Sequence, residues 1–174
     1  DYYWEVQRFD RQIGEVLDRL TEMGELDNTV IVVSGDNGMP FPRCKATLYD
    51  MGTRVPLAIR WGKAVRGGRR VNDFVSLCDL APTFLELTDI DIPSQMTGKS
   101  LLSLLKSGRA GQVEPYRTFV LTGMEQHVYP YPARAIRTKD YLYLRRFEPA
   151  KWRTGEVSGR NPRYEFAKTP WPTE

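Results

Sequence analysis

Thr29-Val30-Ile31-Val32-Val33-Ser34-Gly35-Asp36-Asn37-Gly38 is an apolar, largely β-branched run that stops at two oxygen-bearing side chains and a glycine. Residues 29–33 show no polar alternation, the pattern of a strand covered on both faces, as in the centre of a parallel α/β sheet. Ligands of such sheets gather beyond the carboxyl ends of the strands. Asp36 and Asn37 fall at that end, and as ligands they offer oxygen, which suits a hard divalent cation such as calcium or magnesium. Asn-Gly also fits a type I′ hairpin turn. The residues that follow, Met39-Pro40-Phe41-Pro42-Arg43, carry two prolines where a returning strand would need its ladder, which disfavours the hairpin.

Moving outward, Tyr3, Phe9, Ile13, Val16, Leu17, Leu20 and Met23 recur mostly every three or four residues, and Gly24 follows. This predicts an amphipathic helix that covers one face of the sheet and ends at the glycine. Residues 55–61 read as a second strand, with Pro56 at its first position or edge. Residues 75–87 read as a helix that tolerates Pro82 by beginning near Asp79 or Leu80, and Ser100 is placed to cap a short helix running to Lys106. A composition shift over residues 107–114 divides the chain into a part spanning 1–107 and a smaller part spanning 108–174. In the second part residues 118–122, 134–137 and 141–146 predict strands of a small, mainly antiparallel sheet. The expected class is therefore α/β followed by a small α+β unit. The stretch from Lys151 has no clear period, and no internal repeat is evident.

The strand-end stretch belongs to a longer ordered pattern: Asp27-Asn28-Thr29 before it, then Lys45, then Thr47-Leu48-Tyr49-Asp50-Met51-Gly52-Thr53-Arg54-Val55-Pro56-Leu57, then Asp79-Leu80-Ala81-Pro82-Thr83 and Gly98-Lys99-Ser100-Leu101-Leu102. The pattern resembles the sulfatase family of the alkaline phosphatase superfamily. Met39-Pro40-Phe41-Pro42 and His127-Val128-Tyr129-Pro130-Tyr131-Pro132-Ala133-Arg134 are similar to its sulfamidase branch, which cleaves N-sulfate from glucosamine. The resemblance implies part of an alkaline-phosphatase-like sheet flanked by helices. It also implies a divalent metal, calcium or magnesium, held in part by Asp36 and Asn37. Lys45 would contact the sulfuryl group, offsetting charge that builds as the sulfur bond breaks, and His127 would contact the substrate.

The family's formylglycine nucleophile arises in a Cys-x-Pro-Ser-Arg or Ser-x-Pro-Ser-Arg motif. Here Cys44 precedes Lys45-Ala46-Thr47 and Cys78 precedes Asp79-Leu80-Ala81, so neither matches. The resemblance thus places the chain in the carboxyl-terminal portion of a sulfatase, with the nucleophile and further metal ligands outside it, and implies that this portion alone is inactive. Calcium takes six to eight oxygens, more than Asp36 and Asn37 supply. The family implies a periplasmic, secreted or lysosomal site of action and a sulfated carbohydrate or other sulfated small molecule as substrate. A phosphonate or phosphodiester hydrolase of the same superfamily, and a non-catalytic module for anionic glycans, are the competing readings.

The net charge of +3 is unevenly placed: Arg60, Lys63, Arg66, Arg69 and Arg70 form an acid-free stretch, and from Arg134 onward ten Lys or Arg face five Asp or Glu. Such patches attract anions, although around Gly67-Gly68 a solvated loop is the simpler expectation. No nucleic-acid-binding module pattern is visible, and no run of eighteen apolar residues marks a membrane span. Gly98-Lys99-Ser100 mimics the end of a phosphate-binding loop, but the position five before Gly98 is Pro93, not glycine. Cys78 sits among apolar neighbours and is expected to pack as a small hydrophobe.

Overall fold

The computed structural model describes residues 1–127 and 130–147. Val128, Tyr129 and residues 148–174, which include the stretch from Lys151, lie outside the described residues. Helix α1 (Tyr2–Glu22) runs into a 3₁₀ turn, strand β1 (Val30–Ser34), the one-turn helix α2 (Asp50–Thr53) and strand β2 (Leu57–Trp61). A second 3₁₀ turn (Leu77–Asp79), helix α3 (Leu80–Leu87) and helix α4 (Leu102–Lys106) follow, then strands β3 (Phe119–Gln126), β4 (Pro130–Thr138) and β5 (Leu142–Arg146). The described residues form a mixed α/β architecture with two small sheets, one of β1 and β2 and one in the order β3-β4-β5.

The expected parallel sheet is corrected at its first pair. β1 and β2 run antiparallel, with Val30 opposite Trp61 and Ser34 opposite Leu57. A parallel pair needs a crossover, usually a full helix. The link between these strands contains only the single turn of α2, so the chain doubles back. The unbroken apolar pattern of β1 nevertheless has a physical cause, because the sheet has cover on both sides. Ile31, Val33 and Ala58 line a crevice of about 170 Å³ together with Ile13 and Leu17 of α1. Ile59 borders the same crevice and also packs on the buried cluster of Leu101, Leu104 and Val113. Covered faces produce apolar runs whichever way the neighbouring strand runs.

α1 ends as the sequence predicts. Gly24 adopts φ 72°, its N–H donates to Thr21 O (3.0 Å), and Glu25 N donates to Leu20 O (2.9 Å), the paired bonds of a Schellman cap. Its cover of the sheet is narrower than the periodicity implies. No residue of α1 is buried, and Tyr3, Phe9, Val16 and Met23 are exposed.

α3 starts where Pro82 permits. Ser76 and Asp79 form a reciprocal capping box around the turn before it, and Pro82 sits in the first turn, where its missing N–H costs nothing. Ser100 Oγ accepts from Leu102 N (3.1 Å), so it serves the first turn of α4 from just outside the helix. Arg69 closes the other end: its guanidinium donates to Leu104 O (3.0 Å), to Leu105 O and to Arg109 O (2.7 Å). A cation on the last carbonyls of a helix satisfies acceptors that have no intrahelical donor. Arg60 and Lys63 pair with Asp27. Three of the five charges in the basic stretch therefore have partners, while the loop around Gly67 and Gly68 is exposed, as expected.

The three-stranded sheet is antiparallel, as predicted. Its inner face carries Ala133 and Ala135, which bury Leu48 with Met124, Leu142 and Leu144 around them. Arg137 grips Asp50 of α2 with two bonds, 2.8 and 3.2 Å. The sheet thus sits against the segment that follows β1.

One buried ionic cluster joins these parts. Arg117 is 6% exposed. Its Nε donates to Glu114 Oε2 (2.6 Å), and its terminal nitrogens donate to Asp79 Oδ2 (3.0 Å), Lys99 O (3.1 Å) and Ser100 O (2.9 Å). Asp79 Oδ1 also accepts from Lys99 N (2.8 Å), while Thr83 Oγ1 accepts from Leu101 N (2.8 Å) and donates to Asp79 O (2.5 Å). The neighbouring Asp73 carboxylate is buried with Val113 N, Glu114 N and Gln112 Nε2 as donors. Cys78 is exposed, correcting the packed role expected for it, and Cys44 and Cys78 are both free.

Burial pushes the Glu114 carboxyl up, but hydrogen bonds from Ser103, Tyr116 and Arg117 and the charge of Arg117 outweigh it, so the net direction is below the ordinary value of 4.5. A depressed carboxylate stabilises the fold above its unfolded pKa, and that contribution is lost as pH falls through the folded value. The unfolding free energy should therefore hold level above pH 4.5 and drop below it, with a shallower drop in Glu114→Gln. Equal acid slopes in the two proteins would contradict this. Arg117→Ala leaves Asp79 and Glu114 buried without their cation and should cost about 3–5 kcal/mol in urea unfolding.

Candidate functional site

The loop that follows β1 is built around two glycines in contact. Gly38 is buried, and its N–H donates to Gly52 O (3.0 Å). A Cβ on Gly38 would overlap the Met51 carbonyl and come within 2.6 Å of Gly52 Cα. A Cβ on Gly52 would overlap the carbonyl of Thr47 and lie 2.7 Å from its Oγ1. Hydrogen at Gly38 lets the end of β1 touch α2, and hydrogen at Gly52 lets α2 lie against the carbonyls of Cys44 and Thr47. The strand end itself is pinned by Ser34 Oγ and Gly35 N, which both donate to Pro56 O (3.0 and 3.3 Å).

Between the glycines, residues 39–45 close on themselves. Met39 O accepts from both Phe41 N (2.8 Å) and Lys45 N (2.9 Å), and Cys44 N donates to Phe41 O (3.1 Å). Cys44 is buried beneath the loop. Arg43 and Ala46, on either side of Cys44 and Lys45, both adopt φ 63°, a conformation costing about 1–2 kcal/mol for a residue with a Cβ. The surrounding bonds over-determine it, including Thr47 Oγ1, which donates to Cys44 O (2.8 Å) and Arg43 O (3.1 Å). Such strain collects where backbone placement matters to a site.

These constraints hold Asp36 and Asn37, both exposed just past β1, and return the exposed Lys45 to Met39, two residues beyond Asn37. Asn37 Nδ2 donates to Gly38 O (3.2 Å), which fixes the amide and leaves its Oδ1 as a free acceptor. The Asp36 carboxylate has no hydrogen-bond or ion-pair partner among the described residues. One carboxylate and one amide oxygen suit calcium or magnesium. They are a partial ligand set, since no group of three or more His, Cys, Asp or Glu able to hold a metal occurs among the described residues. His127 is exposed at the bend after β3, and no hydrogen bond or ion pair ties it to the loop.

Sequence reasoning missed the residues that brace this loop from the second sheet. Besides the Arg137 to Asp50 pair, Arg146 donates to the Tyr49 hydroxyl (3.4 Å). Neither arginine stands out in the sequence, because the pairing depends on a fold contact between residues almost a hundred positions apart.

With this geometry in view, comparison with known proteins gives the class. Residues 43–154 match the family model described as N-sulphoglucosamine sulphohydrolase, C-terminal, and the chain belongs to the sulfatase family as a carboxyl-terminal portion. It is 34% identical over 147 residues to an ulvan-active sulfatase of Formosa agariphila, covering 84% of this chain and 28% of that protein. It is 32% identical over 157 residues to human N-sulphoglucosamine sulphohydrolase, covering 80% of this chain and 29% of the relative. A solved structure in complex with its substrate D-glucosamine-2-N,6-O-disulfate superposes with a TM-score of 0.70 at 26% identity, over 82% of this chain and 32% of that one. The chain thus spans less than a third of the length of these relatives.

Gly38→Ala should force the loop away from α2 and open the cover over Cys44. In a Cys78→Ser background, the rate at which a thiol reagent labels Cys44 is expected to rise at least about tenfold, following a local opening free energy lowered by more than 1.4 kcal/mol. An unchanged labelling rate would show that the two glycines do not hold the loop closed.

Proposed function

We propose that the chain is the carboxyl-terminal part of an enzyme that hydrolyses sulfate esters or sulfamates of a sulfated sugar. The observation that carries this reading is the closed loop after β1, which presents Asp36 and Asn37 at the strand end and folds Lys45 back onto the carbonyl of Met39. Family membership supports it, as do relatives whose names and bound ligand are those of enzymes for sulfated sugars. The parts spanning 1–107 and 108–174 are proposed as the end of the catalytic α/β domain, with its alkaline-phosphatase-like sheet, and a smaller subdomain. Arg117 and Asp73 tie the two parts together.

Asp36 Oδ and Asn37 Oδ1 are the atoms of this chain that would hold a divalent cation, calcium or magnesium, and Gly38 O keeps the Asn37 amide turned so that its oxygen is available. The chemistry such a cation would supply when bound is Lewis-acid neutralisation of sulfate oxygens. Lys45 places its ammonium against a sulfate oxygen and offsets the charge that builds as the sulfur ester or sulfamate bond breaks. His127 is proposed as a contact to the sugar. The formylglycine nucleophile and the remaining oxygen ligands are assigned to sequence outside this chain, which by itself is proposed to be inactive.

The test is Asp36→Ala in the full-length protein, assayed with D-glucosamine-2-N,6-O-disulfate and by metal analysis. Metal content and turnover are expected to fall together, with thermal unfolding close to that of the unsubstituted protein, because the exposed carboxylate has no structural partner among the described residues. Retention of metal at full stoichiometry would remove Asp36 from the site.

A further inference from the structure

We infer that Phe41, braced by Tyr2, forms the aromatic wall against which the sugar ring of the substrate lies, and so sets specificity for a pyranose beside the sulfate-binding cation. The inference rests on the sulfatase reading of the loop and assigns a role to the Met-Pro-Phe-Pro stretch, for which that reading has no use. One carbonyl brings the parts together. Met39 O accepts from both Phe41 N and Lys45 N, so the backbones carrying the aromatic ring and the ammonium meet at a single oxygen.

The ring is displayed, not packed. Phe41 is 45% exposed, while Cys44 in the same closed loop is buried and Leu48 enters the core under the three-stranded sheet. Nor is its orientation loose. Tyr2, at the first turn of α1, meets Phe41 edge-to-face with ring centroids 5.4 Å apart and an interplanar angle of 72°, and Tyr3 meets Tyr2 in the same way at 5.7 Å. Edge-to-face contact engages the rim of one ring and one face of the other, so Tyr2 covers at most one face of Phe41 and leaves another open. Pro40 and Pro42 on either side stiffen the backbone, and φ 63° at Arg43 turns the chain sharply back toward Lys45.

Ring faces carry partial negative charge, and the C–H patches of a pyranose carry partial positive charge, so the two stack without competing for hydrogen bonds. A sulfated sugar presents such a patch and an anion on one small molecule. Phe41 and Lys45 answer both at the spacing one shared carbonyl imposes.

The experiment measures KM and kcat of the full-length protein on D-glucosamine-2-N,6-O-disulfate, with inhibition by inorganic sulfate as the control for the anion site. Phe41→Ala and Phe41→Leu are expected to raise KM by roughly three- to tenfold, Phe41→Tyr to restore it, and the sulfate inhibition constant to stay put in all three. Tyr2→Ala should raise KM by a smaller factor. A KM unchanged in Phe41→Ala or Phe41→Leu overturns the inference, and so does an equal loss of sulfate inhibition, which would mean the loop has collapsed. If the unsubstituted protein does not turn over the sugar at all, the sulfatase reading itself fails.

Discussion

The Arg117 guanidinium is the interaction on which the rest of the described structure leans. A cation 6% exposed is tolerated only when its donors are answered, since the desolvation of charges this deep otherwise exceeds their attraction. Here Glu114, Asp79, Lys99 O and Ser100 O answer them. Those acceptors come from three separate stretches, so the cluster fixes where α3 begins, where α4 begins and where the chain leaves for β3. Arginine suits the task because its fork of donors reaches several acceptors at once and stays charged. With α4 held, Leu101 and Leu104 provide the floor on which Ile59 of β2 rests.

The site inherits its geometry from that floor. β2 pairs with β1 along its whole length, so a fixed β2 fixes the level at which β1 stops and Asp36 emerges. The contact of Gly38 with Gly52 then folds the following residues back over the strand end, and the second sheet clamps the far side of the loop through Arg137 on Asp50. Each restraint is ordinary backbone or side-chain chemistry. Together they return the backbone of Lys45 to Met39, two residues beyond Asn37, inside one exposed loop.

Much of this was legible in the sequence, for identifiable reasons. β1 and its terminal Asp-Asn-Gly could be read because an apolar run followed by polar oxygens is a local signal. The helix stop at Gly24, the late start of α3 before Pro82 and the service of Ser100 to α4 could be read because capping is local too. Strand direction was not legible. An apolar run records that both faces are covered, here by α1 on one side and by the cluster of Leu101, Leu104 and Val113 on the other, and it does so whether the pair is parallel or antiparallel. The exposed aromatic side of α1 was misjudged because periodicity reports which residues share a face but not how much of it a two-stranded sheet can cover. Asp79 lay in a stretch that the family resemblance singled out, yet its work is structural, with Lys99 N and Arg117 as its partners. That partnership spans 38 positions, and no local pattern encodes it.

The metal site proposed at the end of β1 rests on the oxygens of Asp36 and Asn37. A crystal structure of the full-length protein grown with calcium tests it most directly. The expected result is an ion with Asp36 Oδ and Asn37 Oδ1 both at about 2.3–2.6 Å, its remaining oxygens coming from outside this chain. An ion bound elsewhere, with both side chains turned to solvent, would contradict it.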